Sequence, residues 1–359
     1  MKNILVILIF SLLSNMLIAQ EEVKVSPLTI TGYVDLYYSF DFNKPANNTR
    51  PSFIYSYNRH NEVNLNLGFI KAAYSTENLR ANLALMTGTY ANANYVSEPG
   101  VFKNIFEANA GVKISSTKNI WVDAGIFASH IGFESAIGKD CWNVTRSILA
   151  DNTPYYESGA KISYTSDNGK WFLSGMILNG WQRIHRLNGN TLPSFGTQVT
   201  FKPGNTITLN SSTFIGSDKP DSTRAMRYFN NFYGIFQITP RFGLTVGFDY
   251  GVQEKSYLTS STNAWYSPVV IARFSISNKA SVAVRGEYYD DRNGIIISTR
   301  TVNGFKTTGV SANFDYQVLP NALWRIELRN LNSADAVFEK GSGTSNNNTF
   351  INTSLAVSF

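Results

Sequence analysis

Apolar and polar residues alternate at every second position along most of the chain. The pattern is clearest in residues 62–69 and 324–329. In the first segment the apolar positions are Val63, Leu65, Leu67 and Phe69, and in the second Trp324, Ile326 and Leu328 alternate with Arg325, Glu327 and Arg329. A period of two indicates a β-strand with two different faces, and helical stripes are nearly absent. The alternation therefore predicts an all-β protein.

About sixteen strands are predicted, and the connections between them alternate between short turns and long polar loops. The strands are expected at 28–40, 60–74, 78–92, 105–116, 119–130, 155–166, 169–182, 194–202, 205–216, 226–239, 241–254, 263–277, 279–291, 304–318, 321–331 and 348–359. This alternation is typical of a transmembrane antiparallel up-and-down β-barrel with short periplasmic turns and long extracellular loops. An even strand number would place both termini on the periplasmic side. A soluble β-sandwich or barrel would explain the alternating residues but not the unequal loops.

Composition agrees with a barrel in a membrane. Aromatic residues make up 14% of the chain and charged residues only 16%, as expected of aromatic girdles around a polar interior. The net charge of +6 is scattered along the sequence, which argues against a nucleic-acid partner. Cys141 is the single cysteine, so no disulfide is possible, and we predict an unpaired thiol without function on an exposed loop.

The N-terminus predicts export. Residues 1–19 combine Lys2 with an interrupted apolar run that ends in Leu17-Ile18-Ala19 before Gln20, as in a cleaved signal peptide. No cysteine at the cleavage point offers a lipid attachment site. Residues 20–27 would then form a short periplasmic segment, and residues 28–359 a single barrel domain.

If the apolar face meets lipid, residues such as Leu83, Ile126, Val284 and Leu355 lie outside and the charged positions line a pore. The pore-lining set is Asp35, Glu62, Arg80, Glu107, Lys113, Asp123, Glu157, Lys161, Lys202, Asp249, Arg273, Arg285, Glu287, Asp315, Arg325, Glu327 and Arg329. A packed core could not accept so many ionisable groups, because each one buried without a partner costs several kcal/mol. A water-filled lumen accepts them readily.

The last strand, FINTSLAVSF, ends on Phe359. It resembles the C-terminal signal, an amphipathic strand closing on an aromatic residue, by which the outer-membrane barrel assembly machinery recognises its substrates. Phe359 is therefore predicted to be an assembly signal.

Two stretches carry a family resemblance. One begins with GYVDLYYSFDFNKP at residues 32–45, and the other contains HIGFES, WNVTRS and PYYESGAKISY within residues 130–164. They resemble the OmpL-like β-barrel porins of Bacteroidetes, the porin-2 family. The resemblance implies a channel in the outer membrane of a Gram-negative bacterium.

The expected function is passive diffusion of small polar solutes and ions, because sixteen strands leave an aqueous channel. The 131–154 loop is the longest connection and carries apolar residues that need burial, so we expect it to fold into the lumen as a constriction. Its charged residues, Glu134, Lys139, Asp140, Arg146 and Asp151, would stand across from Arg273, Arg285 and Arg325. A cap on the extracellular rim is the alternative place for this loop.

The sequence also leaves functions other than a porin open. An adhesion or partner-binding barrel with a blocked lumen is the main alternative, and a hydrophobic-substrate transporter would need an N-terminal hatch. His60, His130 and His185 form no catalytic or metal-binding motif, so neither an enzyme nor a cofactor is predicted. The expected partners are outer-membrane lipids, the assembly machinery and small polar solutes, with homo-oligomerisation left open.

Overall fold

The computed structural model describes residues 26–256 and 258–359. The predicted signal peptide and its cleavage point lie outside the described residues. Within these residues the strands are β1 (Leu28–Asp41), β2 (Val63–Ser75), β3 (Leu79–Thr87), β4 (Ile105–Lys113), β5 (Asn119–Ala128), β6 (Tyr156–Thr165), β7 (Trp171–Leu178), β8 (Ser194–Gly204), β9 (Ile207–Gly216), β10 (Arg227–Gln237), β11 (Phe242–Ser256), β12 (Thr259–Ser275), β13 (Ala280–Asp291), β14 (Phe305–Leu319), β15 (Ala322–Ser333), β16 (Phe338–Lys340), β17 (Gly343–Ser345) and β18 (Asn347–Ser358).

Sixteen of these strands form one closed antiparallel barrel. Each pairs with its neighbours in sequence, and β1 pairs with β18 to close the ring. The two short strands β16 and β17 form a separate hairpin in the connection from β15 to β18. The start of β1 at Leu28 and the end of β18 at Ser358 lie at the end of the barrel that carries the short turns, here called the turn end. The opposite end is the long-loop end. The predicted all-β up-and-down barrel is confirmed.

Alternation sets which side chains face outward. On β15, Leu328 is half exposed while its neighbours Glu327 and Arg329 are buried. Closing the sheet gives every strand one outer and one inner face, so the exposed aliphatic side chains cover the outside and the polar ones point inward.

The predicted register of β2 is wrong beyond Leu65. The pairing with β1 shifts between Asp35 and Leu36, which leaves Asn66 as an extra residue. Asn66 is buried, and its side-chain amide donates to Asp35 at 3.2 Å. The bulge exchanges the two faces, so Leu67 lies in the interior, and Ile70 is exposed in its place. The strand pattern could not reveal a single inserted residue.

Two further differences are local. The strand predicted at 78–92 ends at Thr87, because Gly88 has a φ of +126° and its Cα lies against the carbonyl of Asn66, where no side chain would fit. A short helix, Thr89–Asn94, follows. Ile126, expected on the lipid face, is buried in an apolar cluster with Leu67. No helix among the described residues is long and apolar enough to cross a membrane.

The apolar core of the molecule lies at the long-loop end. Strand residues such as Phe214, Trp265 and Phe350 pack there against Phe53 and Ile297 from the loops. Loop side chains therefore fill part of the barrel mouth, and this region is called the mouth core below.

Candidate functional site

The connection from β5 to β6, residues 129–155, is held in a defined shape by its own short elements. A 3-10 turn spans Gly138–Asp140 and a short helix spans Ile148–Asp151. Ser147 begins this helix as its N-cap, since its hydroxyl accepts a hydrogen bond from the Ala150 N–H at 3.2 Å. The hydroxyl of Ser147 in turn donates to the Glu134 carboxylate, which joins the two halves of the loop.

Apolar side chains of the loop pack against inner-face residues of the barrel wall. Leu149 and Ala150 contact a cluster formed by Val269, Ile271 and Ala283 on β12 and β13. Phe133 and Trp142 pack against the edge of the same cluster, and Ile131 and Ile148 join the mouth core. Burial of this surface attaches the loop to one side of the barrel.

Four charged side chains on β13 and β15 bind the middle of the loop, and they are called the clamp below. They are Arg285, Glu287, Glu327 and Arg329, and all four are buried. Arg285 bridges the two carboxylates, at 3.0 Å from Glu327 and 3.3 Å from Glu287. Arg329 completes the cluster through Glu287 at 2.6 Å. Two bases therefore balance two acids.

The clamp holds mostly the backbone of the loop. Glu327 accepts hydrogen bonds from the Thr145 N–H at 2.6 Å and from its hydroxyl at 2.8 Å. Arg285 donates to the Thr145 carbonyl at 2.6 Å, and Arg329 donates to the Arg146 carbonyl at 2.9 Å. Glu287 accepts from the Ile148 N–H at 2.7 Å. Hydrogen bonds to charged groups are the stronger ones, so this part of the loop is fixed at several points.

A second contact lies nearer the turn end. Arg325 forms a bidentate pair with Asp315, at 2.7 and 3.0 Å. Its remaining donors reach the carbonyls of Gly138 at 2.6 Å and Cys141 at 2.8 Å. Buried charges of this kind are stable only when paired, and removing one partner typically costs about 3–5 kcal/mol.

Arg146 differs from the sequence expectation. It was expected to stand across from the wall arginines, but it is fully buried inside the loop. Its guanidinium donates to the carbonyls of Ser135, Val144 and Ala136, at 2.6, 2.6 and 2.9 Å. Arg146 therefore closes the loop on itself, because its planar donors match three converging carbonyls.

The other charged residues of the loop fall into two groups. Glu134 is buried, and its carboxylate lies 3.8 Å from Arg285. Asp151 is also buried, and burial raises the pKa of its carboxyl group to about 7. Lys139 and Asp140 are half exposed and 4.0 Å apart, so they are the loop charges that meet solvent.

The charged residues expected on the inner face are divided between buried and solvent-accessible positions. The buried ones are Asp35, Asp123, Glu157, Asp249, Arg285, Glu287, Asp315, Arg325, Glu327 and Arg329. The accessible ones are Glu62, Arg80, Glu107, Lys113, Lys161, Lys202 and Arg273. The sequence could not separate the two groups, because the covering side chains come from distant loops. Glu62 precedes β2 and pairs with Arg59 at 2.8 Å.

The wall opposite the clamp keeps four of its charged side chains, Lys71, Arg80, Glu107 and Lys161, partly accessible to solvent. Lys71 pairs with Glu107 at 2.8 Å, and Arg80 pairs with Asp123. Lys161 lies over the ring of Phe127 at 4.5 Å. A cavity of about 220 Å³ separates this wall from residues 131–137 of the loop, with Glu107 on its lining. The charged residues on the lining of this cavity are Glu107 of the wall and Glu134 of the loop.

Cys141 is buried, which corrects the expectation of an exposed thiol. Its sulfhydryl donates to the Ser135 carbonyl at 3.4 Å, and burial raises the pKa of the thiol. A buried, protonated thiol is unreactive, and Cys141 acts here as a small packing residue.

No group of residues in the described part of the chain could hold a metal ion. His60 accepts from the Asp41 N–H through Nδ1 at 2.9 Å, and Nε2 of His130 lies 2.8 Å from the Thr213 carbonyl. These histidines therefore make structural contacts with the backbone.

Thr145 and Asn143 are the residues of the site that sequence reasoning missed. Asn143 donates to Ser311 and Glu327, at 3.2 and 3.4 Å. The one signal available was the segment IGFES, TRS and PYY, whose parts meet in space. Glu134 of the first part binds Ser147 of the second, and Tyr155 of the third lines the same cavity as Glu134.

Comparisons with known proteins agree with this architecture. A family model described as "Putative beta-barrel porin-2, OmpL-like" matches residues 27–359. No protein of curated function matches the sequence. Among solved structures, the anion-selective porin from Comamonas acidovorans superposes with a TM-score of 0.60 at 10% identity, covering 92% of this chain and 99% of that one.

Two further structures show the same fold. They are the trimer form of OmpT, an outer membrane protein of Vibrio cholerae, and the outer membrane channel DcaP of Acinetobacter baumannii. Each has a TM-score of 0.58 at 10% identity and covers 92% of this chain, with 99% and 97% of their own chains covered.

Proposed function

We infer that this chain, which belongs to the OmpL-like family of β-barrel porins, lets small polar solutes and ions diffuse passively across the outer membrane of a Gram-negative bacterium. The family and the fold are those of an outer-membrane channel rather than an enzyme. A sixteen-stranded barrel is wide enough to enclose water. Outer-membrane lipids surround the apolar outer face, and the lumen is the route of the solute.

The 131–154 loop is proposed to lie in the lumen and to set the bore. The observation that carries this proposal is the clamp, in which buried inner-face charges of β13 and β15 bind the backbone of Thr145, Arg146 and Ile148. A cap on the rim would have no reason to contact residues this far inside the wall. Solutes would then pass between the loop and the wall formed by β2 to β6, where Arg80 and Lys161 remain accessible.

The orientation follows from the unequal connections. Long loops of outer-membrane barrels face the cell exterior and short turns face the periplasm. We therefore assign the turn end, with both termini, to the periplasm.

The mouth core favours a second candidate, a partner-binding barrel with a closed lumen. Phe53, Ile297 and Phe338 pack among strand residues at the long-loop end, and such packing reduces the entrance. Conductance distinguishes the two candidates, because a closed barrel passes no ions.

The test is single-channel recording in planar bilayers, followed by liposome swelling with sugars of graded size. We expect discrete conductance steps and uptake of small sugars that falls sharply with size. Purified protein that forms a heat-modifiable barrel but gives no conductance steps would contradict the porin assignment and favour the partner-binding candidate.

Phe359 is proposed to be the assembly signal, and its setting defines a matched test. Its backbone exchanges hydrogen bonds with Gly32, and its ring covers the position where a side chain at Gly32 would lie. We expect Phe359→Asp to lower outer-membrane levels strongly and Gly32→Val to lower them partly, because Val displaces the ring. The control is Gly341→Asn. A side chain at position 341 would meet open space, and Asn tolerates the positive φ of this residue. Equal levels for Phe359→Asp and Gly341→Asn, measured by immunoblot of outer membranes, would refute this role.

A further inference from the structure

Charges that lack an ionic partner are unevenly distributed along the barrel. On the short turns and the strand halves that lead into them, acidic side chains are already paired, as Asp123 is with Arg80, Asp167 with Lys118 and Asp315 with Arg325. Among the described residues of this region, the acids outside an ion pair are Glu77 on a turn and the buried Asp35. The bases outside an ion pair are Lys113, Lys161, Lys170, Lys202, Arg241, Arg273 and Lys279.

The sequence concealed this asymmetry, because the acids and bases of the inner face nearly balance in number. The structure uses the acids of the clamp, Glu287 and Glu327, to neutralise Arg285 and Arg329. What remains on the turn side is a surplus of positive charge.

Three of the surplus cations surround one cavity. It has a volume of about 370 Å³, lies at the turn end beneath β12 to β14, and is lined by Arg241, Arg273 and Lys279. Arg273 donates only to the hydroxyl of Ser281, at 3.2 and 3.3 Å. Asp315 also borders the cavity, but both of its carboxylate oxygens are engaged by Arg325.

Such a cavity has the chemistry of an anion site. Positive charges in a concave, partly desolvated space concentrate counter-ions and raise their local density. Guanidinium groups bind oxyanions with two parallel hydrogen bonds, which a halide cannot accept in the same way. Serine hydroxyls such as Ser281 add neutral donors.

We propose that the turn-side cavity binds small oxyanions and that this half of the lumen gives the channel a preference for anions. The proposal rests on the proposed porin function and names its solute class. A solute that has passed the loop would meet Lys161 and then the cluster of Arg241, Arg273 and Lys279 on its way to the turn end.

The test compares Arg273→Gln/Lys279→Gln with the matched control Lys219→Gln/Lys255→Gln, which removes two positive charges from the long-loop end. Reversal potentials in a KCl gradient across a planar bilayer measure ion preference, and inorganic phosphate is then titrated against the chloride current. We expect chloride to be preferred over potassium in the wild type. In the cavity variant the ratio of chloride to potassium permeability should fall roughly three- to tenfold. In the control this ratio should change little.

Phosphate should reduce the chloride current of the wild type and of the control, and much less that of the cavity variant. Sulfate and formate are titrated in the same way, to test whether other oxyanions also reduce the chloride current. A channel that conducts but prefers cations, or a phosphate effect equal in all three proteins, would overturn the oxyanion site. Absence of conductance in every protein would instead overturn the proposed function.

Discussion

Replacing residues 134–148 by a short Gly-Ser link should raise single-channel conductance several-fold and admit sugars that the wild type excludes. The physical reason is that the loop fills the space beside the β12 to β15 wall, where Trp142 and the backbone of Thr145 are held. Removing it widens the path without breaking any strand pairing. The clamp residues keep their own ion pairs, Arg285 with Glu327 and Arg329 with Glu287, so the barrel should remain folded.

The matched control is a Gly-Ser link in place of residues 340–345. This segment contains the second strand of the β16–β17 hairpin, which lies outside the barrel sheet, and the Gly341 N–H joins it to the Asn43 carbonyl at 3.0 Å. It should leave conductance and the size limit nearly unchanged. If both deletions conduct like the wild type in a heat-modifiable, folded barrel, the loop does not set the bore.

Arg325→Ala should increase the rate at which a maleimide labels Cys141 by at least roughly tenfold, a factor that corresponds to 1.4 kcal/mol of lost loop stabilisation. Arg325 donates to the carbonyls of Gly138 and Cys141, so its removal releases the loop at the site of the thiol. Breaking a buried ion pair typically costs about 3–5 kcal/mol, more than the labelling change requires. The native sequence carries a single cysteine, so the reporter needs no engineering.

Arg273→Ala is the control for this experiment. Arg273 lies on the inner face of β12, in the same wall of the barrel, and bonds Ser281 rather than the loop. Its loss should leave labelling of Cys141 slow. Equal labelling rates for the wild type and for Arg325→Ala would show that the contact with Arg325 does not hold the loop in place.

Most of the fold could be predicted from the sequence because alternation is a local property. The strand bearing Trp324 and Arg325 needs only its own residues to define two faces, and the same holds for nearly every strand. The error in β2 has a local cause that the pattern lacks: one extra residue, Asn66, turns inward to bond Asp35. A period of two gives no warning of such an insertion.

The site was harder to predict, because its partners are far apart in the chain. Thr145 and Glu327 carry no pattern that would pair them, and nothing in the sequence distinguishes Arg146, which binds loop carbonyls, from an arginine that faces water. Lys139 and Asp140 meet solvent while Glu134, Arg146 and Asp151 are buried, and the sequence grouped all five as charges facing the wall arginines. The burial of Cys141 depended on the fold of the loop around it, which no periodicity encodes.

The clamp holds the loop chiefly through peptide groups, and this has a consequence for divergence. Thr145 N–H and C=O, the Arg146 carbonyl and the Ile148 N–H are available whatever side chains stand at neighbouring exposed positions. Residues such as Lys139 and Asp140 can therefore mutate without loosening the attachment. Related proteins could acquire different permeabilities by drift at these positions while inheriting an unchanged anchor.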